Sequence, residues 1–241
     1  YARASIKRRL LQARSHFGVP SLTALQERVL HDPEMLPRLL AFLTVQVSEM
    51  FRDPSYYRSL REHVVPVLRT YPSLKIWVAG CSTGEEVYSM AILLKEEGLL
   101  ERTIIYATDI NPRSLEQARQ GIFAIDHLRQ YTANYQQAGG TRSFSDYYTA
   151  AYDSAIMDKS LKEKVTFADH SLATDSVFSE TQFISCRNVL IYFDKPTQRK
   201  VVTRLCSHLR PGGFLLVGHS ESMVQSIVPG LKQVRPTIFT V

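Results

Sequence analysis

The chain has 241 residues, 44% of them hydrophobic and 22% charged, with a formal net charge of +6. This is the composition of an ordinary soluble globular protein long enough to bury a large core. Apolar runs such as Phe214 to Val217 are far too short to cross a bilayer, so no membrane insertion is expected. The three cysteines, Cys81, Cys186 and Cys206, form no CxxC pair. An odd count argues against a disulfide framework and fits a reducing, cytoplasmic compartment. Residues 1–70 read as a helical domain and linker. Ile6, Leu10, Ala13 and Phe17 recur at helical spacing, with Arg3, Lys7, Arg8, Arg9 and Arg14 as a basic cluster beside them. Charge alone lets such a cluster meet nucleic acid, a membrane or an acidic protein. Ser21 is placed to cap a helix carrying Leu22, Leu25 and Val29. Asp32-Pro33 and Asp53-Pro54 repeat a start signal, a capping carboxylate before a proline, and the second opens a helix through Leu68.

From Leu74 the texture changes to strand, turn and helix in alternation. A strand over 74–79 is followed by a helix over 85–97. A second strand over 103–108 ends at Asp109, and Asn111-Pro112 starts another helix. This order implies a parallel sheet with right-handed crossovers. Residues 121–164, rich in Tyr, Gln, Ser and Gly, interrupt the alternation and read as an inserted hairpin unit with a helix. Strands are then expected over 165–168 and 183–186, and a helix over 196–209. Pro211-Gly212-Gly213 is expected as a turn into a strand over 214–218, with a last strand over 237–241. Residues 71–241 thus read as one α/β domain containing the insert.

Four segments carry candidate chemistry. Ala79-Gly80-Cys81-Ser82-Thr83-Gly84-Glu85-Glu86 ends a strand in small residues and passes into a helix. Small side chains admit a ligand close to the backbone, although the same residues also make an ordinary tight turn. The segment lacks the GxGxxG dinucleotide pattern and the P-loop lysine, and its acidic pair suits a cationic amino group instead of a phosphate. Asp109 ends the next strand, where a carboxylate can accept hydrogen bonds from ribose hydroxyls or cap a helix. Arg187 and Asn188 follow another strand, at the sheet edge where open α/β folds bind ligands. Of the aromatics that follow them, Phe193 reads as core. Arg52, just before a helix start, would pass as a surface residue if it stood alone.

Taken together these segments resemble the chemotaxis receptor methyltransferases (CheR-type protein-glutamate O-methyltransferases). The strings that carry the resemblance are Ser48-Glu49-Met50-Phe51-Arg52-Asp53, Ser82-Thr83-Gly84-Glu85-Glu86-Val87-Tyr88-Ser89 and Ala107-Thr108-Asp109-Ile110. Cys186-Arg187-Asn188-Val189-Leu190-Ile191-Tyr192-Phe193-Asp194, Leu209-Arg210-Pro211-Gly212-Gly213 and Gly218-His219-Ser220-Glu221 continue it. The resemblance implies a helical N-terminal domain and a Rossmann-like methyltransferase domain with a small inserted β-subdomain. It implies S-adenosyl-L-methionine as cofactor, with S-adenosyl-L-homocysteine as product, and no metal. Gln46, Ser48, Arg52, Ala79, Gly80, Glu86, Asp109, Ile110, Ser171, Leu172, Arg187 and Asn188 are then the expected cofactor-binding residues. Within that set Glu86 would take the methionine amino group, Asp109 the ribose, and Ser171 and Leu172 the adenine side. Arg52 and Tyr192 would flank the transferred methyl group and the incoming carboxylate.

Gln46 stands where the family usually has Asn, Ser48 for Thr, Met50 for Phe, Val87 for Pro and Ser171 for Asn. The expected reaction is methylation of glutamate carboxylates on the cytoplasmic helices of chemoreceptors, giving methyl esters in chemotaxis adaptation. The enzyme is expected to be a monomer, with Arg3, Lys7, Arg8, Arg9 and Arg14 steering it to an acidic receptor and no nucleic acid as partner. Rival readings are a small-molecule or nucleic-acid methyltransferase and a catalytically silent module that senses the cofactor or docks signalling proteins.

Overall fold

A computed structural model describes residues 3–44, 48–176, 179–221, 227–228 and 230–241, the side chains of residues 3–5 excepted. Helices α1 (Arg3–His16), α2 (Leu22–His31) and α3 (Met35–Leu43) close over a small core of Ala13, Val19, Leu25, Met35, Leu39 and Leu43. The Ser21 hydroxyl caps α2 by accepting from the Ala24 amide at 3.1 Å. The expected start at Asp32-Pro33 moves to Met35, because the Asp32 carboxylate accepts from the Glu34 amide at 2.9 Å and shapes the turn ahead of α3.

The helix expected from Pro54 to Leu68 is interrupted. It runs as α4 (Pro54–Ser59), a π-helical turn over Leu60–Val64, and α5 (Val65–Leu68). Pro66 has no amide to donate back to the preceding turn, and the ladder widens so that the Val65 amide reaches Leu60 O. Tyr56, Tyr57, Leu60, Val64, Val65 and Leu68 all pack into the main core.

The α/β alternation follows as β1 (Leu74–Ala79), α6 (Glu85–Glu96), β2 (Thr103–Asp109) and α7 (Pro112–Gln120). Next come β3 (Ile122–Ala124), α8 (Leu128–Gln137), β4 (Tyr148–Ala151) and β5 (Ser154–Met157). The chain ends through β6 (Val165–Asp169), β7 (Thr181–Cys186), α9 (Lys195–Ser207), β8 (Leu209–Val217), β9 (Lys232–Arg235) and β10 (Ile238–Thr240). The main sheet has the order β6-β2-β1-β7-β8-β10-β9. Its first five strands are parallel, and β10 lies antiparallel between β8 and β9. This is the doubly wound, Rossmann-like arrangement. β1 and β7 are buried along nearly their whole length, as central parallel strands must be.

Two features at the far edge depart from the sequence pattern. β9 was not anticipated, since only Val234 of Lys-Gln-Val-Arg is even half-buried and no apolar alternation marks it. The expected helix end at Leu209 and the turn at Pro211-Gly212-Gly213 both fall within β8. There Leu209 pairs with Thr181, and the pairing then shifts register before Phe183.

The insert forms its own antiparallel sheet, β3-β5-β4. It shares the main core through Tyr131, Tyr135, Phe144 and Tyr147, and one carboxylate ties several of its groups to the body. Glu96, on α6, is paired with Arg61, accepts from the Tyr135 hydroxyl, and takes the Tyr147 hydroxyl and the Thr141 amide at 3.0 Å each. Burial pushes this carboxyl up, but the hydrogen bonds from Tyr135 and Thr141 and the Arg61 charge outweigh it and hold the group below the usual carboxylate range. Gly140 belongs to the same joint, since a Cβ there would meet the Tyr135 ring at 2.2 Å.

Candidate functional site

The strand order reverses between β1 and β7, and open α/β sheets bind ligands outside the carboxyl ends of the strands at such a point. A cavity of about 330 Å³ opens there. On one side it is lined by Gly80, Cys81, Ser82 and Glu86 after β1, by Asp109 and Ile110 after β2, and by Ser171 and Leu172 after β6. The segment after β7 contributes Arg187, Asn188, Val189, Ile191, Tyr192 and Phe193. Thr44, Ser48, Glu49 and Arg52 reach it from the helical side.

The turn after β1 is shaped by backbone need. Gly80 has φ +77°, and a Cβ there would come within 2.5 Å of Val189 Cγ2. Its amide and that of Cys81 both donate to Thr108 O at 2.8 Å. Ser82 also holds a left-handed φ of 51°, and its amide donates to Asp109 Oδ2 at 2.8 Å. Asp109 Oδ1 accepts from the Asn111 amide at 2.9 Å. Burial pushes the Asp109 carboxyl up, and the amides of Asn111, Ser82 and Ile110 pull it back in part. Asn111 also caps α7 and reaches Thr44 Oγ1 at 3.2 Å, tying the sheet edge to the end of α3.

Opposite stands a buried charge array. The Arg187 side chain is only 2% exposed. Its Nη2 donates to Asp53 Oδ2 at 2.7 Å and to Arg52 O at 3.0 Å, and its Nη1 to Glu86 Oε2 at 3.3 Å. The guanidinium lies 3.9 Å from the Tyr56 ring centroid. The Ser185 hydroxyl donates to Glu86 Oε1 and lies 3.2 Å from the Tyr56 hydroxyl. Two carboxylates and one guanidinium leave one net negative charge, which suits a single cationic group. Among the described residues Arg187 Nε is buried without a partner.

Arg52 and Tyr192 are both half-buried in the lining of the cavity. Burial pushes the Tyr192 phenol up while the charges of Arg52 and Arg9 pull it down, so at neutral pH its hydroxyl keeps its proton and can donate. The loop carrying Tyr192 is held by Glu221. That buried carboxylate accepts from the amides of Gly218 at 2.7 Å, Asn188 at 2.8 Å and Ile191 at 3.2 Å.

The cavity therefore brings together Ser48, Arg52, Gly80, Glu86, Asp109, Ile110, Ser171, Leu172, Arg187, Asn188 and Tyr192. Ala79 does not line it; its side chain is buried in the core beneath. Gln46 and the side chain of Arg3 lie outside the described residues. Lys7, Arg8 and Arg14 are exposed on α1, and Arg9 is half-buried, donating to Phe42 O at 3.4 Å. Phe193, expected as core, packs against the core around Trp77 and also faces the cavity. Asp53 was read as a helix cap, but it makes no capping bond, because its φ of 58° turns the carboxylate toward Arg187. Glu221, in the Gly218-His219-Ser220-Glu221 segment, holds the Tyr192 loop although no local pattern marks it for that duty.

The donor set fits a ligand with an ammonium group, ribose hydroxyls and a flat base. Glu86 offers excess negative charge, Asp109 offers oxygens beside a glycine-lined turn, and Ile110, Leu172, Val189 and Phe193 offer apolar walls. Residues 46–236 match the family model of the CheR methyltransferase, SAM binding domain. The chain is 63% identical over 223 residues to a Pseudomonas putida protein provisionally named methyltransferase Cher3, covering 92% of this chain and 82% of that one. It is 36% identical to chemotaxis protein methyltransferase 2 of Pseudomonas aeruginosa, over 76% of this chain and 66% of that one. With the chemotaxis protein methyltransferase of Klebsiella aerogenes the identity is 35%, over 76% and 62%. The chain spans less than two thirds of the length of these last two relatives. S-adenosylmethionine is thus the cofactor, and the chain belongs to the CheR family of S-adenosylmethionine-dependent methyltransferases.

Proposed function

We propose that the chain methylates glutamate side chains on the cytoplasmic helices of chemoreceptors, in the cytoplasm and as a monomer. One observation supports this most. Arg52 and Tyr192, groups suited to hold a carboxylate, line the same cavity as Glu86 and Asp109. Bound S-adenosylmethionine supplies a methyl group activated on a sulfonium. An acceptor glutamate, with an ordinary pKa of about 4.3, is already ionised at neutral pH, so no general base is needed. The enzyme's work is to desolvate and align that carboxylate.

In this reading Glu86, supported by Ser185, takes the methionine ammonium, while Asp109 takes the ribose hydroxyls. Ser171, Leu172 and Ile110 flank the adenine, and Ser48 and Asn188 close the two ends. Arg52 orients the incoming carboxylate by charge, and the Tyr192 hydroxyl donates to it. The hold must be moderate, because the carboxylate loses its charge on transfer. Arg9 supports a docking role for α1, since its charge bears on Tyr192, which lines the cavity. Lys7, Arg8 and Arg14 extend that positive surface outward, and Arg3 precedes them in the helix.

The test joins calorimetric binding of S-adenosylhomocysteine with methyl transfer to a receptor cytoplasmic fragment. Arg52→Ala is expected to lower turnover about a hundredfold or more while cofactor affinity changes less than about threefold. Wild-type turnover in that variant would remove Arg52 from the reaction. Methyl esters recovered on residues other than glutamate would overturn the substrate.

A further inference from the structure

Arg52 sits in an unusual piece of backbone. Phe51 and Asp53, neither of them glycine, hold left-handed φ values of 52° and 58° on either side of it. Such conformations are costly and persist only where the surroundings over-determine them. The first is held by packing. Phe51 is fully buried, its ring lies 5.0 Å from that of Tyr57 and 5.2 Å from that of Tyr135, and its amide donates to Ser89 Oγ at 2.8 Å.

The second is held by charge. Arg187 Nη2 donates both to Arg52 O and to Asp53 Oδ2. That guanidinium cannot swing away, because it is stacked on Tyr56 and tied through Nη1 to Glu86. Asp53 occupies the cap position of α4 yet makes no cap bond. Its carboxylate faces Arg187 at 2.7 Å, with His219 Nδ1 at 3.9 Å on its exposed side.

We propose that Asp53 is a positioning residue, whose ion pair with Arg187 locks the left-handed bend that presents Arg52 to the acceptor end of the cavity. The proposal rests on Arg52 being the group that meets the acceptor carboxylate. It gives Arg187 a structural duty beyond lining the cofactor site. It also explains why two carboxylates face one arginine. When Glu86 turns its charge to the ammonium of the cofactor, Asp53 keeps Arg187 neutralised and the bend in place.

Asp53→Asn is the discriminating variant. It keeps the volume, still tolerates left-handed backbone and still suits a helix start, but removes the charge. The dissociation constant for S-adenosylhomocysteine should stay within about threefold of wild type, while kcat on a receptor cytoplasmic fragment falls about tenfold. Combined with Arg52→Ala, the substitution should slow the enzyme no further, because Asp53 acts only through Arg52. Multiplied losses in the double variant, or undiminished turnover in Asp53→Asn beside a crippled Arg52→Ala, overturn the proposal alone. Undiminished turnover in Arg52→Ala overturns the reading of Arg52 as well. A second readout needs no acceptor. In nitrogen-15 spectra of the S-adenosylhomocysteine complex, the Arg52 Nε–H resonance, identified by its loss in Arg52→Ala, should exchange with water at least about fivefold faster in Asp53→Asn. Equal exchange in the two proteins overturns the proposal.

Discussion

Single residues at the crevice are chosen for what they leave out as much as for what they bring. Gly80 is the clearest case, since both its φ of +77° and the 2.5 Å approach of Val189 Cγ2 forbid a side chain. Gly80→Ala should push Val189 and its loop away from β1, and cofactor affinity should fall at least about tenfold by calorimetry. Turnover at saturating cofactor should suffer less. The sequence made this glycine legible only together with its neighbouring motifs, because a strand running into small residues and a helix start also makes an ordinary tight turn. It did not make Asp53 or Glu221 legible. Asp53 finds its partner at a separation of 134 residues, and local pattern offered a complete alternative role as a cap. Glu221 serves three backbone amides, and amides leave no mark in a sequence.

Between elements, the decisive joint is Glu96. It gathers the linker helices through Arg61 and the insert through Tyr135, Thr141 and Tyr147. Removing one partner of a buried pair costs about 3 kcal/mol, which in a chain of this size lowers Tm by roughly 6–12 °C. Glu96→Gln should show that loss in thermal unfolding at neutral pH. The sign of its pH dependence follows from the depressed carboxyl. The folded protein holds this group ionised more firmly than the unfolded chain does. The stabilisation is therefore complete above the ordinary value of 4.5 and disappears as pH falls through the lower folded value. The gap in Tm between wild type and variant should accordingly be flat from neutral pH down and shrink below about 4.5. At this scale the central α/β units were legible, because apolar strands and capped helices alternate through them. The π-helical turn at Leu60–Val64 was not, since it arises from Pro66 acting on the carbonyl of a preceding turn. β9 was not either, since an exposed edge strand needs no apolar face.

The whole molecule carries +6, and α1 places Lys7, Arg8 and Arg14 in solvent and Arg9 within electrostatic reach of Tyr192. If that face meets an acidic receptor, charge sets the rate of encounter more than the strength of the final contact. Arg8→Glu with Arg9→Glu should lower kcat/KM on a receptor fragment about tenfold at low salt, and the deficit should shrink to about twofold near 0.5 M salt as screening shortens the reach of both charges. A deficit that ignores salt would point to damaged packing of α1 on α3. Composition announced the positive charge, but only the fold puts Arg9 within electrostatic reach of Tyr192.

The middle of the main sheet joins distant parts of the chain. β1 lies beside β7, and the Lys75 amide reaches Gln182 Oε1 across 107 residues of sequence. Closing so long a loop is slow, and β7 leaves the ribosome long after β1. An insert formed first would shorten that search. Its chain leaves at Gly121 and returns at Met157, whose amide donates to Gly121 O at 2.9 Å, so a formed insert removes its own length from the loop. An insert that folds early is in effect a kinetic clasp for the sheet. Swapping it for a flexible linker of equal length should slow refolding of the sheet and also lower Tm, because Tyr131, Tyr135, Phe144 and Tyr147 of the insert are part of the main core.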